Sequence, residues 1–349
     1  MKAVWKGTGI LVVALSVAGC ADRSITDVPR AKDARSIVPS FDFLPGAEVR
    51  VTFEPASAGI WYVPGPIHGQ DDWSSLGGDR LGGCAVYDHQ VVENDVQLLT
   101  SYSYPTFGRQ SLRLSNAVTS GCFGDQTFSK RLDHAAGEPD AEGVGFEKVP
   151  GPPLNHFEAQ WDFASSVPDA EQPDLSVVAS PDRGDGSRMS WVQMADTRNG
   201  LEINFFDVRG KSDPANFVGP LTVASNLDRT VPHTIRITMD FLEGPSNDVV
   251  KVYVDGQRKE TGTGWENYYR YDSEAASHGG KTPIVNRILF RTGGAAALAN
   301  LGKGFVIDNF SMKSAQGPTS ADQCKKGGWQ NFDWFDNQGE CMQSVNKGP

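Results

Sequence analysis

His156–Phe163 reads HFEAQWDF, and Thr234–Phe241 reads TIRITMDF. In the first, Phe157, Ala159, Trp161 and Phe163 fall on one face, and His156, Glu158, Gln160 and Asp162 on the other. In the second, Ile235, Ile237, Met239 and Phe241 oppose Thr234, Arg236, Thr238 and Asp240. A period of two means strands with one buried face. Val249–Asp255 (VVKVYVD) alternates in the same way and meets a turn at Gly256, and Ala47–Phe53 (AEVRVTF) gives another strand. Asn199-Gly200, between Met189–Ala195 and Leu201–Asp207, predicts a hairpin. The 38 glycines and 21 prolines punctuate the chain every ~8–12 residues, as in a sandwich. No segment offers a long helical period; only Ser273–Ala276 and Gly294–Leu301 suggest helical turns. One sheet cannot bury a face like Phe157/Trp161/Phe163, so a second must cover it. The predicted fold class is all-β, an antiparallel jelly-roll β-sandwich spanning 46–313.

The N-terminus predicts a destination. Lys2 and Lys6 precede an apolar run, Gly9–Val17 (GILVVALSV), too short for a bilayer crossing of about 20 residues. Small residues then lead into Cys20. That order is a secretory signal, and its end resembles a bacterial lipobox. The resemblance implies removal of residues 1–19 and lipidation of Cys20, giving a membrane contact through the lipid anchor only. A plain secretion signal cut after Gly19 is the other reading. Residues 20–45 are polar, with Pro29, Pro39 and Pro45, and read as a tether. The expected location is the cell envelope, facing the periplasm or the exterior. Ala21 is not the Asp that usually retains such lipoproteins at an inner membrane, which favours the outer one in a two-membrane cell.

The chain carries a formal charge of −11, and loss of Lys2 and Lys6 with the signal would bring it to −13. A surface this acidic argues against nucleic acid and against a basic lipid-binding patch. Metal cations remain compatible with it, and the chain is expected to be a monomer. Besides Cys20, four cysteines remain: Cys84, Cys122, Cys324 and Cys341. An even number in an oxidising compartment suggests disulfides. Three pairings are possible, and proximity in sequence favours Cys84–Cys122 and Cys324–Cys341. There is no CxxC pair and the histidines are scattered, which argues against zinc.

The body resembles a concanavalin A-like lectin/glucanase sandwich of the laminin-G-like kind over roughly 71–313. The resemblance rests on Gly108–Asn116 (GRQSLRLSN), Thr127-Phe128-Ser129, Asn247–Gly256 (NDVVKVYVDG) and Gly304–Phe310 (GFVIDNF). Segment 314–323 reads as a linker to a small module, 324–349. That module, Cys324-Lys325-Lys326-Gly327-Gly328-Trp329 followed by Asn337-Gln338-Gly339-Glu340-Cys341, resembles a C-terminal motif of secreted bacterial proteins of unassigned role. It is too small for a core of its own, so a disulfide and Trp329, Phe332, Trp334 and Phe335 must hold it together. The same aromatics offer a docking surface.

The sandwich resemblance implies lectins, hydrolases or lyases, and the residues decide among them. Glycosidases of this fold place two carboxylates on one strand face, about 5–5.5 Å apart in retaining enzymes. No Glu-x-Asp-x-x-Glu is present. In Leu201–Asp207 (LEINFFD), Glu202 and Asn204 share a face while Asp207 points away, so a partner for Glu202 must come from elsewhere, for instance Glu158 or Asp240. A lyase needs an arginine with a Tyr/His pair; the pool is Arg188, Arg236, Arg287, Arg291, His156, His233 and Tyr253, in no lyase motif. Trp265–Tyr271 (WENYYRY) is the densest aromatic cluster and reads as a loop. Trp265, Tyr268 and Tyr269 can stack on sugar rings while Glu266, Asn267 and Arg270 bond hydroxyls, and the polar faces carrying Arg188, Glu202 and Asn204 would line the site; equally, the aromatics can pin the loop to the sandwich. Asp308, on the predicted last strand, is where sandwiches of this kind often hold a structural Ca²⁺ through oxygen ligands. A hydrogen-bonded turn carboxylate is the alternative. Asp182-Arg183-Gly184-Asp185-Gly186 lacks full EF-hand spacing and reads as a turn. No Gly-x-Ser-x-Gly or phosphate loop occurs. The leading expectation is a surface-anchored protein whose lectin-like domain binds polysaccharide or another glycan. A polysaccharide hydrolase or lyase on the same fold, and an envelope interaction module without a small ligand, are the alternatives.

Overall fold

A computed structural model describes residues 46–55, 62–76, 88–94, 104–118, 126–143, 151–293 and 295–346. Cys20, Cys84 and Cys122 lie outside them. The described residues belong to one compact unit. Its strands are β1 (Ala47–Val51), β2 (Gly65–Pro66), β3 (Ser74–Leu76), β4 (Asp88–Glu93), β5 (Gln110–Ser115), β6 (Gln126–Phe128), β7 (His156–Ser165) and β8 (Ser176–Asp182). They continue with β9 (Trp191–Thr197), β10 (Gly200–Val208), β11 (Phe217–Leu227), β12 (His233–Asp240), β13 (Val249–Val254), β14 (Gln257–Gly262), β15 (Arg287–Gly293) and β16 (Phe305–Ala315).

The strands form two antiparallel sheets. One has nine strands in the order β14-β13-β12-β7-β16-β5-β4-β2, with β1 also pairing β16; the other has seven, in the order β11-β10-β9-β8-β15-β6-β3. The alternating segments explain why the two stack. Phe157, Trp161 and Phe163 of β7 and Ile235, Ile237 and Met239 of β12 are buried. They join one core cluster with Val192 and Met194 of β9, Ile203 and Phe205 of β10, and Phe290 of β15. The architecture is the all-β sandwich that the periodicity predicts, with one apolar face per sheet turned inward.

The predicted hairpin exists with a shifted turn. Thr197 pairs with Gly200, so Arg198-Asn199 turn the chain and Gly200 opens β10. Gly200 has φ +130°, and a Cβ there would stand 2.6 Å from the carbonyl oxygen of Leu227. Close approach of β11 therefore requires glycine at this position.

Ser314 and Ala315 belong to β16 rather than to a linker. The chain then forms two short helices, α2 (Ala321–Cys324) and α3 (Gln338–Asn346); α1 (Glu266–Tyr271) precedes them in the body. Cys324 and Cys341 are bonded, with Cα atoms 5.7 Å apart. Around them Phe332 and Phe335 are buried, with Trp329, Trp334 and Met342 packed alongside. The tail also docks on the outer face of the nine-stranded sheet. The Trp334 ring stacks on His156 at 3.9 Å. Glu340 meets Lys251 at 2.9 Å and Arg258 at 3.0 Å, and Lys313 meets Asp333 at 2.9 Å.

Candidate functional site

The outer face of the seven-stranded sheet is built by the alternation of β9 and β10. Val192 and Met194 point into the core, so Trp191, Gln193 and Ala195 point out; Ile203 and Phe205 point in, so Glu202, Asn204 and Phe206 point out. The register sets these in three rungs: Trp191 beside Phe206, Gln193 beside Asn204, and Ala195 beside Glu202. The polar rungs are tied together. Asn204 donates to Glu202 at 2.8 Å and to Gln193 at 3.3 Å, Thr222 of β11 donates to Asn204 at 2.8 Å, and Gln193 donates to Ser176 at 2.9 Å.

The aromatic rung runs under α1. This segment, expected as a loop, is one and a half turns of helix, too short to give a periodic signal. Glu266 in its first turn and Arg270 in its last suit the helix dipole. Asp272 stops it and accepts the backbone N–H of Glu274 at 2.8 Å, opening a 3₁₀ turn over Ser273–His278. The helix is pinned to the sheet. The Trp265 indole N–H donates to the Phe206 carbonyl at 3.1 Å, its backbone N–H to Met189 at 2.8 Å, and the Tyr269 hydroxyl to the Arg188 carbonyl at 3.0 Å.

Beside α1 is a cleft of about 250 Å³ lined by Arg188, Trp191, Phe217, Trp265, Tyr268 and His278, among others. Its rings meet one another: Trp191 and Trp265 at 5.7 Å, Phe217 edge-on to Trp265 at 5.1 Å, and Phe217 against Tyr268 at 5.5 Å. The Arg188 guanidinium lies over Trp191 at 5.3 Å. Trp265 and Tyr269 are only 3% and 5% exposed, whereas Phe217 is 48% exposed. Trp265 and Tyr269 therefore mainly hold α1 in place, and the half-buried Tyr268 and Trp191 with Phe217 form the accessible stacking surface. Trp191 and Phe217 were missed in the sequence. Trp191 was legible as the outward residue of WVQMADT, an aromatic on a polar face; Phe217 opens an edge strand with no clean alternation.

The expected glycan-binding residues Trp265, Tyr268, Tyr269, Arg188, Glu202 and Asn204 thus fall on one side of the molecule. The suggested catalytic partners do not. Glu158 and Asp240 lie on the outer face of the nine-stranded sheet, with the whole core between them and Glu202. Asp240 is engaged by His156 at 2.7 Å, and Glu158 faces Arg236 at 3.5 Å. Neither can complete a carboxylate pair with Glu202. The lyase pool splits in the same way: Arg236 stacks on Tyr253 at 3.9 Å on the nine-stranded sheet, along with His156 and His233, while Arg287 and Arg291 belong to the other. Burial pushes the hydroxyls of Tyr268 and Tyr269 to a higher pKa, the opposite of what a proton-abstracting tyrosinate needs.

Asp308 is buried beside the bulge of β16. Its oxygens accept from the Ser111 hydroxyl at 3.1 Å and the Asn309 N–H at 2.7 Å. Burial raises its pKa to about 8. Both oxygens already have donors, so this carboxylate fits the hydrogen-bonded alternative better than a calcium ligand. Asp182 likewise closes a turn, its Oδ1 accepting the N–H groups of Asp185 at 3.1 Å and Gly186 at 3.2 Å. A different acidic group exists: Glu138, Asp248 and Glu266 each bring an oxygen within 4.8 Å of the others.

No family model matches the chain, and no curated protein does either. Among solved structures it is similar to basic winged bean lectin with Tn-antigen (11% identity, TM-score 0.37, 78% of this chain and 100% of that one). It is also similar to an endo-1,3-beta-glucanase from Streptomyces sioyaensis (11%, 0.33, 76% and 100%). A third is the carbohydrate recognition domain of Emp46p in its potassium-bound form (13%, 0.29, 55% and 79%). The fold assignment rests on the strand pairing itself.

Proposed function

We propose that this chain is an envelope lipoprotein, anchored through Cys20, that binds a polysaccharide on the outer face of its seven-stranded sheet. The observation that carries the reading is the continuity of that face. Accessible rings of Trp191, Phe217 and Tyr268 pass directly into the half-buried polar pair Gln193 and Glu202, which the buried Asn204 ties together from beneath. Aromatic faces stack on sugar rings, and planar amides bond paired hydroxyls; this mixture is what sugar recognition uses. Cleavage is not part of the proposal, because Glu202 has no carboxylate partner from β7 or β12.

Glycan-array and affinity-electrophoresis measurements on the purified chain test it, with reducing-end and unsaturated-product assays run alongside. Binding that Phe217→Ala and Gln193→Ala each weaken about tenfold, as loss of a stacking or hydrogen-bonding contact does, supports the reading. Binding indifferent to both, or product release, removes it. For the anchor, a Cys20→Ser chain is expected to leave the detergent phase for the aqueous phase.

A further inference from the structure

The loop Leu242–Asp248 and the start of α1 enclose Glu138, Asp248 and Glu266, none of which is exposed. Backbone N–H groups organise one side of each carboxylate. Leu242 donates to Asp248 Oδ1 at 2.9 Å, Asn247 and Asp248 donate to Glu266 Oε1 at 2.7 and 3.2 Å, and Gly244 donates to Glu138 Oε2 at 3.1 Å. Thr282 donates to Glu138 Oε1 at 3.1 Å, but the other side of Asp248 and of Glu266 is bare. Asp248 Oδ2 and Glu266 Oε2 are buried without a hydrogen-bond donor, as is Oδ1 of Asn247 on the same loop. Gly264 leaves the space beside Asp248 Oδ2 clear; a Cβ there would stand 3.3 Å from that oxygen.

Charge points the same way. Arg270 pairs with Glu138, so three buried carboxylates face one guanidinium, and with all three ionised two negative charges would be uncompensated. Burial raises the pKa of Asp248 and Glu266, the cost such a site carries when nothing positive fills it. The ligand atoms lie within 4.8 Å of one another, the span of two oxygens across an ion at about 2.4 Å. All are hard oxygens, with no sulfur or imidazole among them, which suits calcium rather than a softer metal.

We propose that Glu138, Asp248 and Glu266 form a binding site for one divalent calcium-class cation. The ion would tie the Leu242–Asp248 loop to α1, and the site stands whether or not the neighbouring cleft takes a sugar.

The test uses the purified full chain stripped with EGTA. Terbium is the probe, since Trp265 adjoins Glu266 and can sensitise its emission. Expected are saturable emission at one equivalent, displacement by calcium, and a melting temperature about 5 °C higher in saturating calcium than in EGTA. Asp248→Asn and Glu266→Gln should abolish both responses, while Asp308→Asn should keep them. No emission and equal melting temperatures for the unaltered chain would mean that the carboxylates share a proton, and would overturn the site. Loss of the response in Asp308→Asn, with its survival in Asp248→Asn, would place the ion elsewhere and overturn it equally. Should the buried variants fail to fold, the titration of the unaltered chain and of Asp308→Asn still decides.

Discussion

On the nine-stranded sheet, Lys251, Arg258 and Lys313 each meet an acid of the tail, and His156 lies under Trp334. On the seven-stranded sheet, Trp191 and Phe206 run under α1 into a cleft, and the amides beside them bond to one another and to Glu202, Thr222 and Ser176 of the same sheet. Both faces are polar rows over the same core. The first uses its charges on a piece of its own chain; the second keeps its rings accessible. Two carboxylates and a Tyr/Arg/His set on the first face therefore look like catalytic material in the sequence, yet they serve docking and packing.

Substitutions can break or sharpen this contrast. The largest effect is expected from Trp265→Ala. It removes a buried ring and the indole bond to Phe206, and should cost about 3–5 kcal/mol by thermal or denaturant unfolding. Next is the tail. Cys324→Ser with Cys341→Ser removes a cross-link worth about 3 kcal/mol in the chain-entropy account. Its loss should show as hydrogen exchange and proteolysis confined to residues beyond Ala315. Trp334→Ala should cost less, about 1–3 kcal/mol, and leave any glycan affinity unchanged; a large drop in affinity would break the contrast between the faces.

The docking should also depend on pH. Burial raises the Glu340 pKa, but the Lys251 ammonium and the Asp336 N–H that it accepts from, with the charge of Arg258, outweigh burial and hold it below the usual value. A depressed carboxylate contributes stability above its unfolded pKa and loses it as pH falls through the folded one. Tail protection should therefore be complete at neutral pH and fall once the pH drops below the ordinary glutamate range, and Glu340→Gln should flatten that change. The smallest stability effect belongs to Phe217→Ala, within about 0.5–1 kcal/mol for so exposed a ring. It is also the change expected to weaken sugar binding most clearly.

The sandwich was legible because HFEAQWDF and TIRITMDF alternate without a fault, and period two is a property of neighbouring residues. Which outer face a residue joins is set by strand order, a long-range property. Glu202 and Glu158 look equivalent in sequence, yet they end up on opposite sides because β10 and β7 belong to different sheets. Trp265–Tyr271 shows the other limit: its importance was plain from composition, but its helix is too short for a period and its burial depends on Phe206, Met189 and Arg188. The Cys324–Cys341 bond was readable because its partners are near in sequence; the docking of the tail on His156 and Lys251 was not.

The place of β16 has a consequence for synthesis. It is the last strand of the sandwich, yet it lies between β7 on one side and β5 and β1 on the other. A chain emerging N-terminus first leaves those partners with unsatisfied edges until residues 305–315 arrive. Long-range closure of this kind is slow and leaves strand edges open to wrong partners. A late-arriving central strand thus delays completion of the nine-stranded sheet until the last strand of the sandwich has been made.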